Sequence, residues 1–336
     1  EANNIRWLPQ AFRTGPRGLT QALDLIRFFI LVRREIKNGN ADLIHARSYI
    51  PAFVAMIAGA LYATPFIFDM RALWPEELIT AGRLRRGSLI HKAIVWAEKT
   101  CLRRAAVVVS LTHVAAKYLK STYPKELKGR DISVIPTCAD LDRFTPAQTA
   151  QTHPVLYSCI GTVLSGWFRM DMLATIFSAL ADRDPKAQFE IITRDDPDRT
   201  RQALADAGFT SPNLEIYGLE LSQMPAALHR QTASIMLYAG GEVSELGRSP
   251  TRLAELLGCG IPVFANSGVG DVAGIVQDHE IGVLVEDASP ETLSAALDKM
   301  EKLLDDPQTA HRCRDTAVAL FSLRSGTDAY RSIYKN

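Results

Sequence analysis

Short runs rich in β-branched and aromatic residues alternate with segments of helical length along the whole chain, and this rhythm restricts it to parallel sheets covered by helices. In the first half the pattern predicts strands at Ile5–Leu8, Leu43–Ala46, Phe66–Asp69, Val107–Ser110 and Ile132–Ile135. Helices are expected near Gly18–Lys37, Ile50–Tyr62, Ser88–Arg104 and Val114–Ser121. The rhythm lapses over Thr145–Pro154, where Pro, Gln, Thr and His gather, and a linker is expected there. It resumes with strands at Val155–Ile160, Phe189–Thr193, Leu214–Tyr217, Ser234–Leu237, Val263–Ala265 and Val283–Val285. Helices near Asp171–Ala181, Thr200–Ala207, Met224–Arg230 and Thr251–Leu257 separate them. The expected class is α/β, with two Rossmann-like domains at residues 1–148 and 149–320 and a closing segment at 321–336. In such sheets ligands bind beyond the carboxyl ends of the strands, so the loops after each strand are the place to seek chemistry. No G-x-G-x-x-G or Walker A pattern occurs, so neither dinucleotide nor P-loop chemistry is expected.

A chain of 336 residues exceeds what one hydrophobic core usually spans, which agrees with two domains. Its net charge of +1 conceals a division. Residues 1–150 hold 22 Lys/Arg against 12 Asp/Glu, a net of +10, and residues 151–336 hold 16 against 25, a net of −9. A basic half gathers anions, be they phosphorylated substrates, lipid headgroups or nucleic acid. Its basic residues include Arg83, Arg85, Arg86, Arg103, Arg104, Lys117, Lys120, Lys125 and Lys128, which read most simply as solvated helix faces. No aromatic pattern interleaves them, so nucleic acid is not expected as a partner, whereas peripheral contact with an anionic membrane surface suits the excess.

The five cysteines (Cys101, Cys138, Cys159, Cys259, Cys313) are far apart and odd in number, which argues against a disulfide framework and for structural thiols in a reducing cytoplasm. The apolar stretch Leu25–Val32 is broken by Arg27 and followed by Arg33 and Arg34, so no membrane-spanning helix is expected. The chain opens on Glu1 without a signal-peptide pattern, and a segment upstream of it is expected. The expected location is cytoplasmic, at most peripheral on the inner face of the cell membrane.

The most informative local pattern is Ser249-Pro250-Thr251-Arg252-Leu253-Ala254-Glu255. It reads as a helix start, with Ser249 as the capping residue, Pro250 in the first turn and Gly258 at the end. The unpaired N–H groups and positive dipole end of such a start attract anions, and Arg248 and Arg252 add fixed charge. The plainer alternative is an ordinary capped helix with Arg252 and Glu255 as a surface pair.

The helix leads into Gly258-Cys-Gly260-Ile-Pro262-Val and then Gly268-Val-Gly270-Asp271. This stretch resembles the donor-binding core of the retaining GT-B glycosyltransferases called family four, whose bacterial members often show S-P-T-K-x-x-E-x-x-x-x-G-x-P-V; here Arg252 stands in place of the lysine. Further segments extend the resemblance. Asp42-Leu-Ile-His45-Ala-Arg47 is similar to a D-x-x-H-x-H/R strand end, and Phe68–Trp74 to a D-M-R-G-x-W turn. Val134–Phe144 is similar to I-P-N-G-V-D-x-x-x-F, and Phe321–Tyr334 to the closing helix that crosses back to the first domain. The resemblance implies a GT-B fold with two Rossmann-like domains facing each other across a cleft, the first lacking its usual N-terminal strand or strands. It also implies transfer of a sugar from a nucleoside diphosphate sugar to an acceptor hydroxyl, with retention, in bacterial polysaccharide, lipopolysaccharide or glycoconjugate synthesis; no cofactor is expected and, for want of metal-ligand spacing among His, Cys and carboxylate residues, no metal. The partners implied are the nucleotide-sugar donor and a glycan or lipid-linked acceptor.

Residue by residue, Glu255 is expected to hold the ribose hydroxyls, where one carboxylate can accept from two donors. Ser249, Pro250, Thr251, Arg252 and Arg248 are expected at the diphosphate, and Gly218 and Leu219 where relatives seat the base. Two departures affect this inventory. A first family glutamate would fall on Gly247, leaving Glu245 and Glu242 as substitutes at the transferred sugar. The Gly161–Phe168 loop lacks the usual Arg and Lys, so Gly161 and Thr162 line the donor while Arg194, Arg248 and Arg252 supply charge. On the first domain Asp69 and Arg71 are catalytic candidates, with His45, Arg47 and Trp74 on the acceptor side. Asp69 as a plain turn cap and His45 as a structural histidine remain alternatives. No residues have metal-ligand spacing. The missing groups also leave open a catalytically silent GT-B module binding a glycan or partner protein, or a GT-B sugar-nucleotide epimerase.

Overall fold

The computed structural model describes residues 5–10, 19–147 and 154–335. The chain forms two compact units, Glu1–Ser110 with Leu119–Ser133, and Leu111–Tyr118 with Val134–Asn336. The class is α/β, as the sequence rhythm predicts.

In the first unit, strands β1 (Ile44–Arg47), β2 (Phe66–Asp69), β3 (Val107–Ser110) and β4 (Ile132–Val134) are neighbours in that order. The β1–β2 and β2–β3 pairs are parallel, with Arg47 opposite Asp69. β2 is apolar up to its last residue and wholly buried, as a strand covered on both faces must be. Helices α1 (Leu19–Lys37), α2 (Tyr49–Tyr62), α3 (Trp74–Thr80) and α4 (Leu89–Arg104) accompany this sheet, and α5 (His113–Thr122) follows β3. The α2 helix packs through Ala52, Ala55, Ala58 and Gly59, whose small size lets backbones approach closely; a Cβ on Gly59 would strike the Thr64 carbonyl. The α4 helix opens on Ser88, whose hydroxyl accepts the His91 N–H at 3.2 Å.

One expectation is corrected here. Ile5–Leu8 is not a strand; it has no regular structure, and Trp7 is 81 % exposed. Its apolar composition suits a strand, but a strand needs ladder partners, and none of the described strands pairs with it. Most of the expected linker, residues 148–153, lies outside the described residues, as does Gly18.

The second unit holds a six-stranded sheet in the order β10-β9-β8-β5-β6-β7. Its strands are β5 (Leu156–Ile160), β6 (Gln188–Ile192), β7 (Leu214–Tyr217), β8 (Ala233–Met236), β9 (Val263–Ala265) and β10 (Gly282–Leu284). All neighbouring pairs are parallel. From the central β5 the chain steps outward through β6 and β7, then returns to the other flank with β8. The order therefore reverses between β5 and β8, and that reversal opens a crevice at the strands' carboxyl ends. Alternate residues feed two cores: Cys159, Ile191 and Ile235 enter one, while Ile160, Ile192 and Met236 enter the other. The first core is completed by α6 (Met170–Arg183) and α11 (Pro290–Asp305), the second by α9 (Thr251–Gly258), α10 (Val272–Asp278) and α12 (Thr309–Phe321). A final helix, α13 (Leu323–Lys335), closes the chain.

The five cysteines are free, four of them buried, and burial pushes the Cys101, Cys259 and Cys313 thiols up to about 12, so they stay protonated and inert. Segment Val134–Phe144 groups with the second unit. Its Ala139 forms a parallel bridge with Ser322, and Arg314 donates to the carbonyls of Leu141, Phe144 and Gly258 at 2.6–2.9 Å.

The first unit also buries a carboxyl group. Glu98 is 4 % exposed and accepts the hydroxyls of Tyr49, at 2.8 Å, and Tyr123. Burial raises its pKa above the ordinary 4.5, and the two phenol donors offset only part of that. The folded state thus holds this proton more tightly than the unfolded chain. The stability this provides is complete below 4.5 and is lost as pH rises through the raised value. Glu98→Gln removes the titration, so its melting temperature should fall less than the wild type's between mildly acidic and neutral pH. Each ~1 kcal/mol of that difference shifts the midpoint by about 2–4 °C. Parallel pH profiles in thermal unfolding would refute this account.

Candidate functional site

The crevice of the second unit is lined by the loop after β5 and the loop after β8, and the two are tied together. The Ala239 N–H donates to the Trp167 carbonyl at 3.0 Å, and Phe168 and Tyr238 form an antiparallel bridge. The β5 loop turns at Gly161, whose φ of +149° few side chains tolerate, and its Leu164 N–H is fixed by the Asp195 carboxylate at 2.9 Å. Asn266, after β9, clips the β8 loop by accepting from the Tyr238 N–H and donating to the Tyr238 carbonyl, each at 2.9 Å.

The β8 loop ends in a short 3₁₀ turn over Val243–Gly247, and there the structure changes the role expected of Glu245. The Glu245 residue is 0 % exposed, and both carboxylate oxygens accept from Arg248, one of them at 2.9 Å. Sealed from solvent and held bidentately by Arg248, it sits under the arginine rather than open to a sugar. Arg248 in turn lies over the Trp167 and Tyr238 rings, 5.4 and 5.5 Å from their centroids. Trp167 and Tyr238 are platforms that sequence reading does not single out; an aromatic in each of two crevice loops is the available signal. Glu242, the other substitute considered, is exposed.

The α9 helix starts at Thr251, with Pro250 in the capping position and no side-chain cap. The expected capping role of Ser249 is thus corrected: its hydroxyl accepts the Thr137 N–H at 3.1 Å and binds the Val134–Phe144 segment instead. The first-turn N–H groups of α9 are left without a capping side chain and carry the helix's positive end. Arg252 reaches one turn along to Glu255, and this pair is partly exposed, at 25 % and 11 % of the side chains. Burial raises the Glu255 pKa, and the Arg252 charge offsets part of the rise.

The glycine stretch after β9 closes the site from another side. The Gly270 N–H donates to the Glu245 carbonyl at 2.9 Å, its φ is +46°, and an added Cβ would collide with the Arg248 carbonyl. Asp271 accepts the His113 and Val114 N–H groups at 2.7 and 3.0 Å, capping α5 from outside. Thr112 donates to the Leu246 carbonyl, in the same turn as Glu245. The structure therefore assembles Gly161, Trp167, Tyr238, Glu245, Arg248 and Ser249–Glu255 through direct contacts or chain continuity.

Other sequence candidates of this unit stand further along the same sheet edge. Thr162 and Arg194 are exposed after β5 and β6. Gly218 follows β7 close to the Thr193 carbonyl, which a Cβ would meet at 3.2 Å. Leu219 lines an open groove of about 680 Å³ along the edge strand β7, with Tyr217, Gln223 and Arg230; this groove does not include Arg248 or α9.

In the first unit, His45 Nε2, within β1, lies 3.3 Å from Oδ2 of Asp69 at the end of β2. Arg71, just after β2, takes a left-handed backbone, φ +62°. Ser48, after β1, also has positive φ, +76°, and its N–H donates to the Asp69 carbonyl at 2.7 Å. Two adjacent strand ends thus hold unfavourable backbone conformations, which persist only where the surroundings fix them. Arg47 is exposed, and Trp74 packs on Tyr49 at 5.6 Å between ring centroids. Among the described residues no group of three or more His, Cys, Asp or Glu could hold a metal ion, and no helix is long and apolar enough to cross a membrane.

Comparison with known proteins agrees with this geometry. Residues 1–143 match the model for Glycosyltransferase Family 4, and residues 165–319 match that for glycosyl transferases group 1. No curated protein matches the chain. Among solved structures, a glycosyltransferase from Rickettsia africae is 17 % identical with a TM-score of 0.72, over 96 % of this chain and 83 % of that one. Sucrose-phosphate synthase from Thermosynechococcus elongatus is 16 % identical with a TM-score of 0.69, over 100 % and 86 %. Anabaena Alr3699/HepE, solved in complex with UDP and glucose, is 14 % identical with a TM-score of 0.67, over 97 % and 84 %. With one family model matching each half and the GT-B fold of these neighbours throughout, the chain belongs to the group 1 glycosyltransferases.

Proposed function

We propose that this protein transfers a sugar, with retention of anomeric configuration and without a metal, from a nucleoside diphosphate sugar to the hydroxyl of a glycan or lipid-linked acceptor. The observation that carries the reading is the crevice between β5 and β8, where Arg248 is held over two rings beside the uncapped start of α9. As the bond from the anomeric carbon to phosphate breaks, negative charge collects on the diphosphate. Fixed N–H groups, a helix dipole and a pre-placed guanidinium stabilise that charge without having to reorganise. Glu255, one turn into the helix, is positioned for a ribose diol, with Arg252 as its resting partner. UDP is the first nucleotide to test, because Alr3699/HepE was solved with UDP and with UDP-glucose. The acceptor falls to the first unit, whose basic excess suits a phosphate-bearing, membrane-associated substrate in polysaccharide or glycoconjugate synthesis.

A second reading, donor binding without turnover, is favoured by one observation: Gly247 replaces the family glutamate, and Glu245 is sealed beneath Arg248. Release of nucleoside diphosphate from a panel of nucleotide sugars, with and without acceptor, separates the two; release without any acceptor product would point to hydrolysis or epimerase-like chemistry.

Isothermal titration with UDP should show binding that Glu255→Ala weakens about 10–100-fold, the scale of hydrogen bonds to a charged group. Because burial raises the Glu255 pKa, its carboxylate is protonated earlier on acidification than an ordinary glutamate. Affinity should therefore fall as pH drops towards that raised value, and Glu255→Gln should flatten the profile. Unchanged binding by Glu255→Ala would remove the ribose from this site.

Arg248→Met leaves the buried Glu245 charge unpaired and should cost about 3–5 kcal/mol of stability. Adding Glu245→Gln should restore most of the melting temperature but not the nucleotide affinity, which stays about tenfold or more below wild type. Recovery of both together would make the pair purely structural.

A further inference from the structure

The α2 helix bears no charged residue, yet it is not fully covered. Its inner side packs on the sheet and its flanks on α1 and α4, while Ile50, Ile57 and Leu61 recur on one outer stripe at 39–60 % exposure, with Phe53 half-buried between them. A helix apolar on every side belongs in a core or against another apolar medium. The neighbouring α4 continues this surface: Leu89, Ile90 and Trp96 are 84 %, 68 % and 60 % exposed, and the Phe53 and Trp96 rings meet edge-on at 6.3 Å. Leu89, Ala93 and Trp96 fall on one stripe, with spacings of four and three residues, and Lys99 and Arg103 extend it.

Along α4 and the loop that precedes it the exposed charges are basic. Arg83 and Arg85 precede Leu89, and Lys92 and Lys99 flank Trp96, all exposed, whereas the single acid of α4 is the buried Glu98. Of the 17 large hydrophobic residues exposed on the described chain, 13 lie between Ile5 and Trp96, within the basic half. Scattered exposed apolar residues need no explanation; a contiguous two-helix ridge with a cationic rim does.

We infer that the outer face of α2 and the first half of α4 is a docking surface for an anionic lipid bilayer, with Leu89, Ile90 and Trp96 entering the interface and the surrounding arginines and lysines meeting headgroup phosphates. The charge selects this occupant. A second copy of the chain related by a two-fold axis would bring two cationic rims together, which is unfavourable, whereas a bilayer offers an apolar layer beneath a negative one. Tryptophan at the boundary and lysines with long apolar stems match that layering. The inference rests on the reading of the first unit as the side that takes a membrane-associated acceptor, but it concerns binding and needs no donor.

Flotation of the full chain with vesicles tests it, using phosphatidylcholine alone and phosphatidylcholine mixed with phosphatidylglycerol, without nucleotide. Binding is expected to the mixed vesicles and to weaken with salt. Each of Arg83→Gln and Arg85→Gln should lower the partition coefficient about fivefold, the equivalent of ~1 kcal/mol per basic residue near the surface. Combined Leu89→Ser, Ile90→Ser and Trp96→Ser should lower it more than about tenfold while leaving the melting temperature in place, since these side chains are exposed. No binding to anionic vesicles, binding that the triple variant keeps, or self-association that the triple variant abolishes would each overturn the proposal. Vesicle binding without transferase activity would sustain this surface and count against the catalytic reading, so the two fail separately.

Discussion

A carboxylate sealed from water requires a cation beside it, and at Glu245 that cation is Arg248. The arrangement of the crevice follows from this pairing. The guanidinium must stay within the 3₁₀ turn to neutralise the buried charge, and its faces then rest on Trp167 and Tyr238. Those rings sit in the loops after β5 and β8, which are already joined by the Trp167–Ala239 hydrogen bond. The carbonyl of Glu245 takes the Gly270 N–H, adding the loop after β9. Three loops from three strands are thus fastened to one ion pair at the point where the sheet order reverses, the position at which open α/β sheets bind ligands.

The rhythm of apolar runs made most of this fold legible. Phe66–Asp69, Val107–Ser110, Leu214–Tyr217 and Val263–Ala265 form strands over the expected residues because each is short, β-rich and bounded by helical segments. The first strand, Ile5–Leu8, fails because local composition does not supply a neighbour. Helices α3, α10, α11 and α12 are harder to read: α3 and α10 are only seven residues long, and the α11 and α12 surfaces mix charges closely enough to obscure their apolar stripes. At the site, the motif from Ser249 to Glu255 was visible as a helix start. The partner of each side chain was not. Ser249 turns to Thr137, 112 residues away, and Glu245 turns beneath Arg248; both outcomes depend on tertiary neighbours that no local window contains.

The two units use backbone strain and side-chain pairing differently. In the first, Ser48 and Arg71 hold positive φ at adjacent strand ends, fixed by the Ser48–Asp69 backbone bond and accompanied by the His45–Asp69 contact. In the second, the crevice loops use glycine where the backbone must turn, at Gly161 and Gly270, and spend their side chains on pairing. A non-glycine residue at such a turn keeps a side chain there, so the first unit presents the Ser48 and Arg71 side chains beside the strand ends.

Two arginine–glutamate pairs of equal spacing, 245–248 and 252–255, flank the start of α9, and their burial assigns them different work. The Glu245 side chain is 1 % exposed, so water cannot replace Arg248 if the arginine leaves, and the pair is fixed. The Glu255 side chain is 11 % exposed and its pKa is raised, so its carboxylate is under-stabilised where it stands. A group in that condition gains from an added donor. The hydroxyls of a ribose can supply hydrogen bonds that Arg252 leaves unmade, while Arg252, 25 % exposed, has room to turn towards a phosphate. Under the proposed function, the fixed pair builds the crevice and the exchangeable pair receives the nucleotide.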